Sequence, residues 1–301
     1  MRKAIVTLAI GFCYEKIFDD LCRLNWQKYC EKYGYDLIVL RHPLDDSERA
    51  RRRPPAWQKL LILSQQWSNK YDQMVWIDTD IFINNSAAPD IVKHIPIEKV
   101  AGVEAYSIPT KHIYEVGLRR SYDNWKRLCI PFMENMNPRD YYNNRNIKSD
   151  VQIDKVFQSG VFVCSPKYHK DIFEHIYYSY ENKFGPEYNY EMPAFSFEII
   201  KNDFQYWIEP YFNMTVGELE AAFYSFIFNV PKSSLKIFFG RGINKVKKTL
   251  FGKDFLGQNK IQALSSIFDI SYFMHFAGCS SQMNSFSKIV HGRDRELQIR
   301  R

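Results

Sequence analysis

The sequence predicts an α/β protein: a Rossmann-like, doubly wound, mostly parallel sheet with an irregular insertion and a C-terminal extension. Three observations predict it. Short apolar runs that suit buried strands recur early, over residues 3–10, 35–40 and 73–77. Segments with helical spacing separate them, over 15–32 and from Pro54-Pro55 to Trp67. The chain has 301 residues, 46% of them apolar and 25% charged, which is ample material for one large core and shows no bias toward disorder, collagen or coiled coil.

Each element has a local reason. Residues 3–10 form a short apolar run and read as a strand. The helix over 15–32 ends before Gly34, a usual helix stop. Pro54-Pro55 opens the next helix, which carries Trp57, Lys59, Leu60, Ile62, Leu63 and Trp67; proline is favoured in a first turn. The strand at 73–77 ends in Asp78, and 100–103 is a fourth strand. Residues 108–148, rich in Tyr, Asn, Pro and Arg, have weak periodicity and read as an irregular insertion or lid. Further on come a strand at 161–164, a helix from Pro166 to about Tyr180, a helix at 195–201, a strand at 204–208 and a late strand at 272–276.

Composition also excludes classes. No apolar run is long enough to span a membrane. The opening MRKAIVTLAIGFC has signal-like charges, but it runs into Tyr14, Glu15 and Lys16 without a small-residue cleavage site, so a first strand and a cytoplasmic protein are expected. Six cysteines form no CxxC pair and read as reduced thiols, mostly packed in the core. The formal net charge of +7 is concentrated: 232–253 holds seven basic residues and no acidic one, interleaved with apolar residues. That pattern suits peripheral contact with an anionic membrane surface or a lipid-linked acceptor, or else a solvated face. Arg49, Arg51, Arg52 and Arg53 form a second cluster that can steer phosphates or be a plain solvated turn. A nucleic-acid-binding protein is the weaker alternative, because 34 acidic residues dilute the basic ones and no known motif organises them. Walker-type, HExxH and GxSxG motifs are absent, and GRGINK at 240 lacks the third glycine of a dinucleotide fingerprint.

The chemistry lies in WIDTDIFINN, residues 76–85. Asp78 and Asp80 follow an apolar strand at its carboxyl end, where ligands bind in open α/β sheets. Two carboxylates at x and x+2 can hold a divalent cation whose remaining positions go to water and phosphate oxygens.

With AIVTLAIG and Tyr14, PPAWQKL at 54–60, WIDTD, QSGVFV at 158–163 and YFMHFAGC at 272–279, the chain resembles nucleotide-sugar-dependent glycosyltransferases of the GT-A fold. It looks most like their retaining galactosyltransferase and glycogenin-like families, and the likeness spans roughly residues 3–280. The resemblance implies one GT-A domain over 1–280, with a nucleotide-binding half at 1–107, the insertion at 108–150 and a donor-sugar and acceptor half at 151–280; 281–301 would be a basic tail. It implies that Asp78, Asp80 and His275 ligate Mn²⁺ or Mg²⁺, a mixed oxygen and imidazole set that suits Mn²⁺ over Ca²⁺. Asp78 would also bind the ribose, and Gly278 would admit the β-phosphate. Thr7, Ala9 and Tyr14 would hold base and ribose, Lys59 would reach ribose or phosphates, and Ser159 and Gly160 would line the donor-sugar pocket. The base would be uracil.

Two departures stand out. The family's Asp-Gln pair opposite the anomeric carbon is represented here by Glu191-Met192, so Glu191 is the candidate catalytic carboxylate, with Glu198 competing. A lysine three residues after Gly278 is replaced by Ser281, for which Lys288 or an arginine of 51–53 can substitute. The implied function is transfer of a sugar from a nucleotide-diphosphate sugar to a hydroxyl of a glycan or lipid-linked acceptor, with retention. A catalytically silent relative that only binds the nucleotide sugar is the alternative, on the strength of those two departures.

Overall fold

The computed structural model describes residues 1–147, 153–182, 190–225 and 255–299. The basic segment 232–253 lies outside these residues. The strands are β1 (Lys3–Leu8), β2 (Asp36–Leu40), β3 (Gln73–Ile77), β4 (Ile81–Ile83), β5 (Val100–Glu104), β6 (Phe157–Cys164), β7 (Gln205–Trp207), β8 (Met214–Thr215) and β9 (Phe273–His275). Six of them form one sheet in the order β2-β1-β3-β6-β5-β7; the others form a small sheet, β4-β9-β8. In the large sheet β6 alone pairs antiparallel to its neighbours, and the remaining pairings are parallel. The α/β, mostly parallel architecture read from the sequence is the one observed.

The alternation of side chains puts a core on each face of the large sheet. Ile5, Val75, Ile77, Val161 and Val163 enter one apolar cluster. Their neighbours Ala4, Val6, Met74, Trp76, Phe162 and Cys164 enter another. Helices α1 (Phe12–Ile17) and α2 (Arg23–Tyr33), joined by the π-helical turn Phe18–Cys22, pack on the first face. Gly34 closes α2 in the left-handed conformation, φ 71°, and the one-turn helix α3 (Glu48–Arg51), capped by Ser47, follows β2. The segment Pro55–Ser64 and helices α6 (Pro166–Ser179) and α7 (Met192–Lys201) cover the second face.

Several elements differ from expectation. Pro55–Ser64 is a 3₁₀ helix, whose larger rise carries the wholly buried Trp57–Leu63 further along the sheet than an α-helix of equal length. The described part of the insertion, up to residue 147, contains two helices. Helix α4 (Lys111–Arg127) is capped by Thr110, and α5 (Pro138–Asn143) is capped by Asn137. Tyr106, Tyr122, Tyr141, Tyr142 and Phe197 form a third, aromatic cluster beneath them. Only Gly117, Leu118 and Tyr122 of α4 are buried, a stripe too narrow to give a clear period in sequence. Residues 283–299 are a packed helix and not a tail. After α8 (Val216–Phe223) and α9 (Phe255–Asp269), helix α10 (Met283–Ile299) seats Met283, Phe286 and Val290 in the main core. The six cysteines are unpaired, with Cys22, Cys30 and Cys164 buried as expected and Cys13 and Cys129 exposed. No helix among the described residues is long and apolar enough to cross a membrane.

Candidate metal and donor site

Ladder registers assemble the site. At the end of β3, the Asp78 N–H donates to the Gly160 carbonyl at 2.9 Å, extending the β3–β6 ladder by one residue. Asp78 has the same strand parity as Trp76, and the Trp76 indole N–H donates to Asp78 Oδ1 at 2.7 Å. The chain then turns through Thr79 and Asp80 into β4. Ile81 of β4 pairs with His275 of β9, and the Phe276 N–H donates to the Asp80 carbonyl at 2.9 Å. Residues remote in sequence thus meet across one antiparallel ladder.

Helix α2 and the π turn hold this crossing from behind. The Cys22 thiol donates to the Thr79 carbonyl at 3.3 Å, and the Trp26 indole to that of Ile81 at 2.8 Å. The Asn25 amide bonds both the N–H and the carbonyl of Ile83. Neither Asn25 nor Trp26 carries a functional signal in sequence, since each looks like an ordinary helix residue.

Asp78, Asp80 and His275 each offer a ligand atom, and these atoms lie within 4.8 Å of one another. His275 Nε2 is 3.3 Å from Asp80 Oδ1 and 4.0 Å from Asp78 Oδ2. Two carboxylates crowded on one imidazole nitrogen call for positive charge between them, so the donor set fits a divalent cation. Burial alone would raise the pKa of Asp80 and lower that of His275. Their mutual attraction outweighs it, holding Asp80 below the usual 3.8 and His275 above the usual 6.5.

A pH dependence follows for the metal-free protein. His275 contributes stability fully below 6.5 and loses it as pH rises through its raised pKa; Asp80 contributes above 3.8 and loses it as pH falls through its lowered one. The stability difference between the chelated protein and its His275→Gln variant is therefore largest between these two ordinary values and shrinks above neutrality. Melting curves taken across pH in chelator check this; a flat difference would contradict the pairing.

Beside the cluster lies a buried cation. Lys59 is only 3% exposed. Its ammonium meets Asp78 Oδ1 at 3.1 Å, the Ser159 carbonyl at 3.2 Å and Glu191 Oε1 at 2.9 Å. Burial works against the charge, but Asp78 and Glu191 outweigh it and raise the lysine's pKa. Its three donors are thus matched within the protein, so Lys59 is a bridge rather than a free arm toward ribose or phosphates. Ser159 Oγ donates to Glu191 Oε1 at 2.8 Å. Burial raises the Glu191 pKa, partly countered by Lys59. Glu191 precedes α7, and Tyr190 before it has a φ of 48°, a left-handed conformation unusual for a large side chain.

The other predicted residues divide. Gly160 is sterically required: a Cβ there would lie 2.5 Å from Cε1 and 2.9 Å from Nδ1 of His275. Gly278, φ 69°, is exposed just after His275, and its conformation is what demands glycine. Tyr14 is 53% exposed. Partial burial, followed by the Asp80, Tyr190 and Asp78 charges, raises its phenol pKa. Thr7 and Ala9 are fully buried, and the Ala9 N–H is taken by the Leu40 carbonyl, so neither is brought into the open site. Glu198 is not part of it either. Its carboxylate is held by Tyr180, Asn202 and Lys201. Arg53 cannot replace the missing lysine, because it is buried over the Trp57 and Tyr177 rings and bonds the Tyr177 carbonyl. Lys288 is exposed on α10.

No protein-family model matches the chain, and no curated protein matches it. Solved structures do. One is a glycosyltransferase involved in the glycosylation of the major capsid of PBCV-1, with 12% identity and a TM-score of 0.46 over 93% of this chain and 99% of that one. Another is the apo bifunctional glycosyltransferase WbbM, with 12% identity and a TM-score of 0.48 over 97% of this chain and 51% of that one. This chain therefore spans about half of WbbM. A third is the galactosyltransferase LgtC in complex with donor and acceptor sugar analogues, with 9% identity and a TM-score of 0.43 over 95% of each chain. At such identities the function has to be argued from the residues of the site itself.

Proposed function

We propose that this chain is a metal-dependent glycosyltransferase. It moves a sugar from a nucleotide-diphosphate sugar, a UDP-sugar, to a hydroxyl of a glycan or lipid-linked acceptor, with retention. The observation that carries the reading is the Asp78–Asp80–His275 cluster at the carboxyl end of β3, beside the buried Lys59–Glu191 pair. Two carboxylates and an imidazole on an edge where α/β sheets bind ligands are suited to Mn²⁺ or Mg²⁺ together with a diphosphate.

Asp78, Asp80 and His275 would hold the metal. When bound, it supplies positive charge that stabilises a departing nucleoside diphosphate. The chain's own residues do the rest. Tyr14, exposed after β1, would offer an aromatic wall to the base or ribose. Gly278 leaves exposed backbone beside His275. Ser159 and Lys59 fix the Glu191 carboxylate, which in this reading faces the anomeric centre and stabilises the positive charge that develops there. The clamped Glu191 followed by Met192 also suits the second reading, a protein that binds the donor without turning it over.

Calorimetric titration of UDP, with GDP in parallel, tests the proposal in Mn²⁺ and then in EDTA. Chelator-sensitive binding of one nucleotide is expected. Absence of binding for both would overturn the donor reading, and binding without transfer to any acceptor would favour the silent relative.

A further inference from the structure

We propose that Asn213 is a positioning residue of the metal cluster, fixing His275 in the tautomer that presents Nε2, and not Nδ1, as the ligand atom. The inference rests on the metal reading above and extends it to a residue with no motif around it. Asn213 ends the 3₁₀ turn Pro210–Asn213 and is fully buried. Its Oδ1 lies 2.8 Å from His275 Nδ1. An amide oxygen carries no proton, so the contact is a hydrogen bond only if Nδ1 donates. In the neutral ring the lone pair is then on Nε2, the nitrogen 3.3 Å from Asp80. Outer partners of this kind orient ligating imidazoles and set their basicity.

Two further features hold the ring in one pose. Thr215 of β8 pairs with His275 of β9, and Met214 pairs with Met274, so the backbones carrying Asn213 and His275 are locked in register. Gly160 lies against the Cε1–Nδ1 edge, where even a methyl group would collide. Flipping the ring would set a carbon against the Asn213 oxygen and turn Nε2 away from Asp80.

The test uses the full chain with ring-¹⁵N histidine, loaded with ¹¹³Cd²⁺ as a diamagnetic probe in the presence of UDP. Cadmium coupling on Nε2 and a slowly exchanging proton on Nδ1 of His275 are expected. Coupling on Nδ1 would overturn the proposal without any variant. In parallel, Mn²⁺ affinity with UDP is measured for two replacements. Asn213→Leu removes the acceptor and should weaken binding roughly 10- to 100-fold. Asn213→Asp keeps an oxygen in place and should bind within a few-fold of the native protein, or tighter. Equal affinity of Asn213→Leu and the native protein would sink the proposal while leaving the metal site standing. If the leucine variant does not fold, the native spectrum and the aspartate variant decide. If the native protein binds neither metal, the metal reading itself fails and this inference falls with it.

Discussion

Replacement of Asp80 by Asn is expected to abolish chelator-sensitive nucleotide binding while the fold survives. The amide is nearly isosteric with the carboxylate but neutral, and it removes a full negative charge from a site built around opposite charges. Loss of an outer partner of a metal ligand costs about 10- to 100-fold in affinity, so loss of a direct ligand should cost at least about 100-fold. The fold should survive because Asp80 joins the β4–β9 crossing through its backbone carbonyl, bonded to the Phe276 N–H, and the substitution leaves that bond intact. Calorimetry with Mn²⁺ reads the first effect, and far-ultraviolet circular dichroism with a melting curve reads the second. Unchanged nucleotide binding would remove Asp80 from the metal site.

The second large effect concerns Lys59. Lys59→Met is expected to destabilise the protein by about 3–5 kcal/mol, the usual cost of leaving a buried charge without its partner. The side chain is almost wholly buried, and so is Glu191, at side-chain exposures of 4% and 2%. Asp78 is more open and can recover water, so the penalty falls mainly on Glu191. Adding Glu191→Gln to the methionine variant should restore part of the loss, because a neutral amide tolerates burial once the cation is gone. The pH dependence has a definite sign. Glu191 has a raised pKa even with Lys59 present, and removing the cation raises it further. A carboxyl whose folded pKa is raised holds its proton more tightly when folded, so stability falls as pH rises through that window. Urea unfolding should therefore show a larger deficit for Lys59→Met at neutral than at acidic pH. A deficit below about 1 kcal/mol, or one independent of pH, would mean that the bridge is not structural.

Both experiments separate what was legible in the chain from what was not. Asp78 and Asp80 announce themselves because an apolar run, a strand end and two carboxylates are adjacent in sequence. His275 stands out in sequence only through the HFAG stretch that carries the resemblance; the structure sets it opposite Ile81, one residue from Asp80. Lys59 was expected to reach for a ligand, because sequence shows a lysine on a helix and not that seven consecutive residues around it are buried. In sequence Glu191 is the nearer match to the family position and Glu198 competes with it. The structure divides them, giving the first to Lys59 and Ser159 and the second to Tyr180, Asn202 and Lys201. Asn213 and Trp76 went unnoticed, although Trp76 sits two residues before Asp78 on the same strand face.

By itself the sequence determined the six strands of the large sheet, the helix stop at Gly34 and the acidic strand end, for which neighbouring residues supply the physical cause. Tertiary structure alone decided the antiparallel course of β6, the ordering of α4 over an aromatic cluster, the burial of α10 and the partners of each charged group in the site. Those outcomes depend on ladder registers and helix docking between distant segments. A shift of one residue would turn Asp78 to the opposite face, and no local pattern in the chain records which register prevails.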